Sequence, residues 1–356
     1  MSKTYDYIVY IGRFQPFHNG HLETVKKALE AGKELIFVIG SANAAATPVN
    51  PFPALDRQDM IWGVLYNLDP NIINQGKVHF IHAEDRLYNM NKWIGYVQAQ
   101  VANIAGNGSV ALIGHDKGDN SYNLKNLFPT WGFVDTGAYS KSSSKVVSAT
   151  KIRELMYTGH LDYVESNVPE CVYEALEEFV ETEEFTNLQA EYIHILDEEK
   201  IVELTPHGMN FITADSVVIQ SGHILLVKRG AYPGKGLWAL PGVHVDQNET
   251  ADEASIRALV DETHLKVPVR VLKGSLKAEK RFDHPERSLR ARLTQDRART
   301  MTLAFYYELE ASHGLPKDVR GGKGIEQAWW FSFAEVRKMR SQLFEDHADI
   351  IDYFIG

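Results

Sequence analysis

Short apolar runs alternate with helical patterns through the first half of this chain of 356 residues. After the first apolar run, Leu22, Val25 and Leu29 keep a helical spacing, and the pattern stops at Gly32. The apolar runs themselves occupy residues 7–11, 35–39, 78–81 and 110–113. This alternation predicts an α/β domain in which helices cover both faces of a parallel sheet.

An acidic stretch in the middle of the chain separates two composition patterns. Between Glu170 and Glu203 the only lysine or arginine is Lys200, and apolar residues there keep a helical spacing. Beyond Pro206 the pattern becomes strand-rich, which is typical of an α+β domain. A length of 356 residues also suits two cores better than one. The predicted organisation is a first domain over 1–185, a linker over 186–210 and a second domain over 211–356.

Composition limits the classes of partner. Hydrophobic residues make up 44% and charged residues 24% of the chain, as in a globular protein, and the formal net charge is -10. A chain with this balance is not expected to bind nucleic acid. No stretch approaches the roughly 20 consecutive apolar residues of a membrane helix, no signal peptide is visible, and the single cysteine, Cys171, suits a reducing compartment. We therefore expect a cytoplasmic protein without a membrane partner, whose oligomeric state the sequence leaves open.

The segment from Gly12 to His21 joins the first predicted strand to the first predicted helix. Ligands of open α/β sheets bind at this kind of edge, and a helix N-terminus offers unpaired N–H groups and a partial positive charge to phosphate. Gly12 and Gly20 allow the backbone to approach a polyphosphate closely. As donors, His18 and His21 would stabilise charge that grows on an α-phosphate and a departing pyrophosphate. Two histidines beside a glycine are also compatible with a simple helix cap.

This ten-residue string resembles the signature of nucleotidyltransferases that carry two histidines around a glycine, in the form found in archaeal-type nicotinamide-mononucleotide adenylyltransferases. The resemblance implies a Rossmann-like, doubly wound parallel sheet, ATP with Mg²⁺, and in-line attack by the mononucleotide phosphate to give NAD and pyrophosphate. It also implies catalytic roles for His18 and His21. The residues of this segment that it implies in ATP binding are Gly12, Arg13, Phe14 and Gly20.

A second stretch extends the resemblance toward the outer phosphates of ATP. Ser148, Thr150 and Arg153 match the family's second phosphate motif at another predicted helix start. Hydroxyls and an arginine at such a place can hold β- and γ-phosphates. A serine and a threonine before a helix are, by themselves, more often caps.

The acceptor site is implied by five residues that match places where the family holds the mononucleotide. These are Asn50, Phe52, Arg57, Asn91 and Trp93. An aromatic plane for stacking and an amide for the carboxamide suit nicotinamide. Asp56 departs from the glutamate expected beside Arg57. The two-histidine loop alone leaves open another phosphate acceptor, such as a flavin or pantetheine phosphate, and the sequence does not separate nicotinamide from nicotinate mononucleotide.

From about residue 211 the chain resembles the Nudix hydrolases, and within them the ADP-ribose pyrophosphatases. Residues 237–242 are typical of the strand and loop before the Nudix box, which then runs without a gap from Val243 to Leu265. In working members, carboxylates at spacings of three and four residues bind magnesium across a pyrophosphate. The metal candidates in this chain are Glu249, Asp261 and Glu262.

The box departs from the family pattern at four places. Val243 and His264 replace its first and last glycines, whereas Ala258 and Asp261 replace glutamates. Aspartate still binds metal, but alanine does not, and losing a carboxylate of this kind commonly costs about 100-fold or more in rate. The sequence therefore predicts an inefficient hydrolase.

Arginines in and after the box are candidates for pairing with the diphosphate of ADP-ribose. These are Arg257, Arg287, Arg290 and Arg292. A solvated basic loop is the other interpretation of the run after the box. Three hypotheses remain for the second domain: an ADP-ribose pyrophosphatase, a non-catalytic nucleotide-binding module that reports NAD status, and a module for assembly.

Overall fold

The computed structural model describes residues 4–115, 124–137, 148–205, 207–293, 298–311, 314–316 and 318–356, except the side chains at 199, 201–203 and 290. By its internal contacts the chain divides into two units, Met1–Gln189 and Ala190–Gly356. The domain limits expected from the sequence stay a prediction.

Each apolar run predicted in the first half forms a strand of one sheet. The strands are β1 (Tyr5–Gly12), β2 (Gly32–Ile39), β3 (Val78–His82), β4 (Val110–Gly114) and β5 (Gly132–Asp135). They lie in the order β3-β2-β1-β4-β5, and all neighbours are parallel. Because the strand order reverses beside β1, the carboxyl ends of β1 and β4 border a switch point, where sheets of this type bind ligands. The predicted Rossmann-like, doubly wound parallel sheet is confirmed.

Helices cover both faces of this sheet. Residues 35–39 of β2 are each at most 2% exposed. Successive side chains of a strand point to opposite faces, so burial of all five requires cover on both sides. The helices of the first half are α1 (Asn19–Ala31), α2 (Ala54–Leu68), α3 (Pro70–Asn74), α4 (Met90–Ala105), α5 (Leu124–Leu127), α6 (Ala149–Tyr157) and α7 (Glu170–Val180).

The acidic stretch is helical over most of its length. In α7, Val172 and Leu176 are fully buried, as the helical spacing predicts. The next helix, α8 (Glu183–Glu203), continues through most of the segment expected to be a linker. Regular backbone hydrogen bonds therefore extend to within a few residues of the next strand.

A mixed sheet forms the centre of the second unit. Its strands are β6 (Met209–Gln220), β7 (His223–Arg229), β8 (Trp238–Ala239), β9 (Gly242–His244), β10 (Leu276–Phe282), β11 (Ala298–Glu308) and β12 (Ile325–Ser332). The main path is β10-β11-β6-β7-β12, in which only β11 and β6 pair in parallel, while β8 joins β7 and β9 joins β6. The helices are α9 (Ala251–Thr263), α10 (Val269–Ser275), α11 (Leu289–Leu293), α12 (Phe333–Lys338) and α13 (His347–Ile355). The predicted α+β fold is confirmed.

The core of this unit lies between α9 and the sheet. Ala254 and Leu259 of α9 pack with Val218, Leu225 and Trp330 from three strands. This packing fixes the helix that carries the box carboxylates against a rigid surface. In the described part of the chain, no helix combines the length and apolar character needed to span a membrane.

Candidate active sites

The loop between β1 and α1 folds around the ring of Phe14. Phe14 is 2% exposed and takes a left-handed backbone conformation with a φ of 52°. A Cβ atom on Gly12 would lie 2.8 Å from that ring, so the packing of Phe14 favours glycine at position 12. Arg13 is exposed. Phe14 therefore shapes the loop from the interior, and the ATP contacts expected of Gly12, Arg13 and Phe14 stay predictions.

His18 and His21 are held by the first turn of α1. Nδ1 of His18 accepts a hydrogen bond from the backbone N–H of Gly20 at 3.1 Å, and Nδ1 of His21 accepts one from the backbone N–H of His18 at 3.2 Å. The side chains form a reciprocal capping box, and their rings stack with centroids 3.7 Å apart. The cap and the catalytic interpretation are thus compatible, because the cap holds the rings in place.

The hydrogen bonds also determine which ring nitrogen carries the proton. Because Nδ1 accepts in both rings, the proton of each neutral imidazole is on Nε2. Burial lowers the pKa of His18 from 6.5 to about 4. Burial, and then the neighbouring His18, lower the pKa of His21 well below its ordinary value. At neutral pH both side chains are therefore uncharged and offer an Nε2–H donor.

A cavity of about 240 Å³ opens beside the two rings at the switch point of the sheet. His18, Gly20 and His21 line it, together with Gly114 at the end of β4 and the following His115. The sequence assigned no role to His115, because its approach to the histidine loop depends on the pairing of β1 with β4. The cavity lies where the helix start and the strand ends converge, which suits a nucleotide.

The second phosphate motif lies against the histidine loop. Arg153 is 9% exposed, and its Nη1 donates to the backbone carbonyl of Gln15 at 2.6 Å while Nη2 donates to Oγ1 of Thr150 at 3.4 Å. Ser148 caps α6, since its Oγ accepts from the backbone N–H of Lys151 at 3.3 Å. The structure therefore brings the two motifs together, and the serine acts as a cap in addition to any role with phosphate.

Gln15 joins the histidine loop to the segment that follows β2. Its Nε2 donates to the carbonyl of Phe52 at 2.8 Å, and its Oε1 accepts from the N–H of Phe52 at 3.0 Å. Asn50, two residues earlier, is 6% exposed, and its Oδ1 has no hydrogen-bond partner among the described residues. No role for Gln15 was predicted from the sequence, although its place inside the ten-residue string was a usable signal.

Arg57 holds the ends of two neighbouring strands together. It is 1% exposed, and its Nη1 donates at 2.7 Å to the carbonyls of both Arg13 and Gly40. Nη2 donates to the Ser41 carbonyl and Nε to that of Pro53, both at 3.2 Å. Burial is the main reason why the pKa of Arg57 falls to about 10, which still leaves the group charged at neutral pH. These contacts give Arg57 a structural role, and its predicted contact with the mononucleotide is not tested by them.

The two remaining acceptor residues lie at the start of α4. Asn91 is exposed. Trp93 packs against the core cluster of the first unit, with its ring 6.1 Å from that of Phe128. Nearby strand ends are joined by Asp85, whose carboxylate accepts from the N–H of Ser41 at 3.2 Å and from its hydroxyl at 2.5 Å. The sequence contained no motif for this last contact, and the nicotinamide roles of Asn91 and Trp93 stay predictions.

In the second unit, Glu249 and Arg257 of the box form an ion pair. Arg257 donates through Nε to Oε2 of Glu249 at 2.9 Å, and also to the carbonyl of His244 at 2.9 Å. The hydrogen bonds from Arg257 and from the backbone of Asp246 lower the pKa of Glu249 to about 2. This pair ties the box loop to α9. To bind a metal ion, Glu249 would have to do so while it is paired with Arg257. The same holds for binding of a diphosphate by Arg257.

Asp261 and Glu262 are the metal candidates that reach a ligand-sized cavity, of about 480 Å³. Oε2 of Glu262 accepts from the backbone N–H of Gly242 at 2.9 Å. Burial raises the pKa of Glu262 to about 8 and outweighs the opposing effects of this hydrogen bond and of Arg229. A carboxyl group of this kind favours a nearby cation, which stabilises its charged form.

Asp215 of β6 is a cavity-lining carboxylate that the sequence did not indicate. It is 5% exposed, and its Oδ2 accepts from Oγ1 of Thr302 at 2.6 Å. A Cβ atom on Gly242 would lie 1.9 Å from its Oδ1, which explains why glycine stays at 242 although the box glycine at Val243 is lost. Within the residues that the structure describes, no three His, Cys, Asp or Glu side chains gather closely enough to hold a metal by themselves.

The replaced box positions differ in their consequences. Val243 pairs with Ala214 in the sheet and lines the cavity without a special backbone conformation. Ala258 is fully buried and supplies no carboxylate to the face that carries Asp261. His264 ends α9 in a left-handed conformation with a φ of 52°, which glycine adopts more readily. The first replacement is accommodated, the second removes chemistry and the third costs stability.

The arginine run after the box is only partly available to a ligand. Arg287 is 4% exposed, and its Nε and Nη2 donate to the two carboxylate oxygens of Asp346, both at 2.9 Å. Burial lowers the pKa of Arg287, but the carboxylates of Asp346 and Glu345 outweigh it and raise the pKa overall. Arg292 is half-buried on α11, and the side chain of Arg290 lies outside the described residues. Their predicted roles with diphosphate stay predictions.

Comparison with known proteins covers both units. Residues 9–155 match the cytidylyltransferase-like family and residues 209–354 match the NUDIX domain. A nicotinamide/nicotinic acid mononucleotide adenylyltransferase of Acinetobacter baylyi is 40% identical over 189 residues, which are 53% of this chain and 94% of that protein. A nicotinamide-nucleotide adenylyltransferase of Archaeoglobus fulgidus is 33% identical over 171 residues, which are 48% of this chain and 89% of that protein.

Two solved structures resemble the whole chain. The bifunctional NMN adenylyltransferase/ADP ribose pyrophosphatase of Francisella tularensis is 31% identical with a TM-score of 0.87, covering 99% of this chain and 98% of that one. The same protein in complex with AMP and a manganese ion is 30% identical, with the same TM-score and coverage. The resemblances inferred from the two motif strings are thereby confirmed. Because this similarity extends over both units and nearly the full length of both proteins, the chain belongs to the family of bifunctional nicotinamide-mononucleotide adenylyltransferase/ADP-ribose pyrophosphatase proteins.

Proposed function

We propose that the first unit transfers the adenylyl group of ATP to nicotinamide mononucleotide and releases NAD and pyrophosphate. The observation that carries this proposal is the pair His18 and His21, held at the start of α1 beside the cavity at the switch point. In-line attack by the mononucleotide phosphate builds charge on the phosphoryl oxygens and on the departing pyrophosphate. Two preorganised Nε2–H donors stabilise that charge without a covalent intermediate.

The surrounding residues are proposed to hold the polyphosphate. Gly12, Arg13, Phe14 and Gly20 form the loop around the α-phosphate, and Ser148, Thr150 and Arg153 bind the outer phosphates. The hydrogen bond from Arg153 to the Gln15 carbonyl supports this grouping, since it places the second motif against the histidine loop. Mg²⁺ is proposed as the cation that accompanies ATP and neutralises its phosphates.

Asn50 supports nicotinamide mononucleotide as the acceptor. Its buried Oδ1 is an acceptor without a partner in the described residues, and such an atom is costly unless a ligand satisfies it. The carboxamide N–H of nicotinamide is a donor of the right kind. The remaining proposed acceptor contacts come from Phe52, Arg57, Asn91 and Trp93.

Product analysis tests the first activity. The full chain is supplied with ATP and Mg²⁺ and with nicotinamide mononucleotide, flavin mononucleotide or phosphopantetheine in separate reactions, and each adenylylated product is separated by chromatography. We expect NAD and one pyrophosphate for each turnover with nicotinamide mononucleotide. Faster adenylylation of either alternative acceptor would assign a different acceptor.

For the second unit, we propose binding of ADP-ribose and slow hydrolysis to AMP and ribose 5-phosphate. The carrying observation is the cavity of about 480 Å³ that Asp261 and Glu262 line. A volume of this order suits a small organic ligand. The missing carboxylate at 258 removes one group for metal binding or base chemistry, so we expect slow turnover. The cavity is still present, so we expect ADP-ribose to bind.

Mg²⁺ fits the second site as an ion shared with the ligand. This ion is commonly bound by one or two carboxylates, with waters and phosphate oxygens completing its coordination. Asp261 and Glu262 would supply the carboxylates, and Glu249 is the third candidate if it leaves its pair with Arg257. When bound, the ion polarises the diphosphate toward attack by water. The chain's own contribution is to hold Glu262 through the Gly242 N–H and to keep α9 rigid.

The second activity is tested by incubating the full chain with ADP-ribose and Mg²⁺ and measuring AMP and ribose 5-phosphate over time. Slow release of both in equal amounts is expected. Calorimetric titration with ADP-ribose shows whether the ligand binds when no product forms. Absence of binding would contradict the proposal.

We further propose that the first activity resides in residues 1–185 and the second in 211–356, with 186–210 between them.

A further inference from the structure

One wall of the cavity in the second unit is the loop between β7 and β8, residues 230–237, which we call the wall loop. Residues 231–233 of this loop line the cavity. The backbone N–H of Gly236 donates to the carbonyl of Arg229 at 2.7 Å and closes the base of the loop. The N–H of Gly234 takes its acceptor from outside the loop, as a buried backbone donor without a strand partner must.

That acceptor is the side chain of Glu191 on α8. Its Oε1 accepts from the N–H of Gly234 at 2.7 Å, and Glu191 is 5% exposed. Burial raises the pKa of Glu191, and the hydrogen bond from Gly234 opposes this rise. A buried carboxylate costs free energy that an apolar side chain of similar size would not cost. We therefore looked for what the hydrogen bond does besides stabilising the second unit.

Gly234 is also in close contact with the interior of the cavity wall. Its φ is 73°, and a Cβ atom there would lie 2.2 Å from the ring of Phe344, which lines the cavity. The Cζ atom of Arg229 lies over the same ring, 4.2 Å from its centroid, and the Nε of Arg229 donates to the carbonyl of Pro233 at 2.7 Å. The position of the wall loop therefore depends on Phe344, on Arg229 and on Glu191.

α8 makes a second contact with the wall loop one turn after Glu191. The imidazole of His194 lies beside the ring of Tyr232, with centroids 6.0 Å apart and planes tilted by 39°. Glu191 and His194 are three residues apart and therefore share one face of the helix. Ile195 is fully buried and fixes this turn of the helix. Residues 191–195 thus support the cavity wall, although they lie in the segment that the sequence assigns to a linker.

We propose that Glu191 is a positioning residue for the ADP-ribose site, because its hydrogen bond to Gly234 holds the wall loop in the arrangement that accepts the ligand. This inference rests on the proposed binding of ADP-ribose by the second unit. Glu191 acts only through the loop and transfers no proton. Without its acceptor oxygen the loop takes up other arrangements, and the affinity falls in proportion to the fraction of molecules that keep the binding-competent one.

The test compares variants of the full chain by calorimetric titration with ADP-ribose, in EDTA and in Mg²⁺. Glu191→Met keeps the length of the side chain but removes the acceptor, so the affinity should fall about 10-fold. Glu191→Gln keeps an acceptor oxygen without the charge and should bind nearly as tightly as the wild type. Glu279→Met makes the same charge change at an exposed position of the same unit and should leave the affinity unchanged.

Three further measurements on Glu191→Met distinguish positioning from a purely structural role. The free energy of unfolding of the second unit in urea should change little, because loss of a buried carboxylate offsets the unpaired N–H of Gly234. Hydrogen exchange at the Gly234 amide should be faster than in the wild type, whereas Glu191→Gln should keep it slow. KM for ADP-ribose should rise with unchanged kcat, because the wall loop carries none of the box carboxylates.

The outcomes separate this inference from the proposed function. If the wild-type chain binds no ADP-ribose, both fall. If the wild type binds and Glu191→Met binds equally tightly, the function stands and the inference is overturned. Equal weakening in Glu191→Met and Glu191→Gln also overturns it, because the charge and not the hydrogen bond would then matter. A matching loss in free energy of unfolding assigns Glu191 a purely structural role and overturns it too.

Glu191→Asp keeps the test decisive if Glu191→Met fails to fold. Its side chain retains the charge but is one methylene shorter, which withdraws the oxygen from the N–H of Gly234. Weaker binding of ADP-ribose by Glu191→Asp than by Glu191→Gln supports the inference. Wild-type affinity in Glu191→Asp, with fast exchange of the Gly234 amide, overturns it.

Discussion

The loop before α1 and the box before α9 are both motif strings that join a strand to a helix, yet the side chains of the two strings have different kinds of hydrogen-bond partner. In the first, His18 and His21 are held by backbone N–H groups of their own turn, which leaves Nε2 of each ring as the donor beside the cavity. In the second, Glu249 and Arg257 satisfy each other. A local backbone hydrogen bond fixes a side chain and leaves its functional atom available to a ligand. Two opposite charges within reach of each other instead form an ion pair, and this pair occupies the atoms that a ligand would bind.

The largest expected effect is on the first site. His21→Ala removes one of two donors to the phosphoryl group, and we expect the rate of NAD formation to fall about 1000-fold. Coupled detection of pyrophosphate measures this rate. ADP-ribose binding by the second unit should be unchanged.

His160→Ala is the matched control, because it removes an exposed histidine from the same unit. It should retain full activity. The comparison between the two strings would break if His21→Ala kept more than a tenth of the wild-type rate while remaining folded.

The next effect repairs the second site. Ala258 precedes Asp261 and Glu262 by three and four residues, so a glutamate at 258 would share their face of α9. We expect Ala258→Glu to raise ADP-ribose hydrolysis about 100-fold, measured as AMP release, and to leave NAD synthesis unchanged. In Ala258→Gln the new side chain is nearly as large as glutamate but carries no charge, so the rate of ADP-ribose hydrolysis should not rise. Equal rates for the two variants would show that the lost carboxylate does not limit turnover.

A smaller effect concerns how pH acts on the histidine pair. The folded-state pKa of His18 is about 4, below its ordinary value of 6.5, so the unfolded chain takes up the proton first as the pH falls. The free energy of unfolding therefore falls progressively as the pH drops from 6.5 to about 4, in total by about 2 kcal/mol after allowance for partial exposure. This loss is measured by unfolding the full chain in urea at several pH values and detecting the unfolding of the first unit through its amide hydrogen exchange.

His18→Gln keeps an acceptor for the Gly20 N–H but does not titrate. Its free energy of unfolding should therefore change less between pH 6.5 and pH 4 than that of the wild type. An identical pH dependence in both proteins would mean that the pKa of His18 is the same in the folded and the unfolded chain, which would contradict a lowered pKa for the buried ring.

The smallest effect is at the end of the box helix. His264 holds a left-handed conformation where the family pattern has glycine, and His264→Gly should raise the free energy of unfolding of the second unit by about 1 kcal/mol. Urea denaturation measures the change. His264→Ala keeps the strained backbone and should bring no gain, so a gain from alanine would point to the histidine side chain and not to the backbone.

Much of the fold followed from pattern. The apolar runs at 35–39 and 110–113 became β2 and β4 because a strand covered on both faces must be apolar throughout. The helix after Gly20 also formed as its spacing predicts. The segment from 186 was expected to be a linker, but α8 continues to Glu203, and helical hydrogen bonding there does not require a strong apolar face.

The candidate sites were less evenly predictable. His18 and His21 were found because one contiguous string carries them. Asp215, Arg229 and His347 reach the second cavity from β6, β7 and α13, and no local pattern marks them. Their proximity depends on strand pairing and on the packing of Phe344, which lies more than 100 residues from Arg229 in sequence.

By itself, the sequence determined the class of each unit, the two motif strings, the loss of the box carboxylate at Ala258 and the acidic charge of the chain. These properties are local or compositional, so they can be read without knowing which distant residues meet. Only the tertiary structure showed that Arg287 forms an ion pair with Asp346 and that Arg57 donates hydrogen bonds to backbone carbonyls. It also showed that the guanidinium of Arg229 lies over the ring of Phe344. A buried charge takes the partner that folding brings within hydrogen-bond distance, because leaving it unpaired costs more than any single ligand contact contributes.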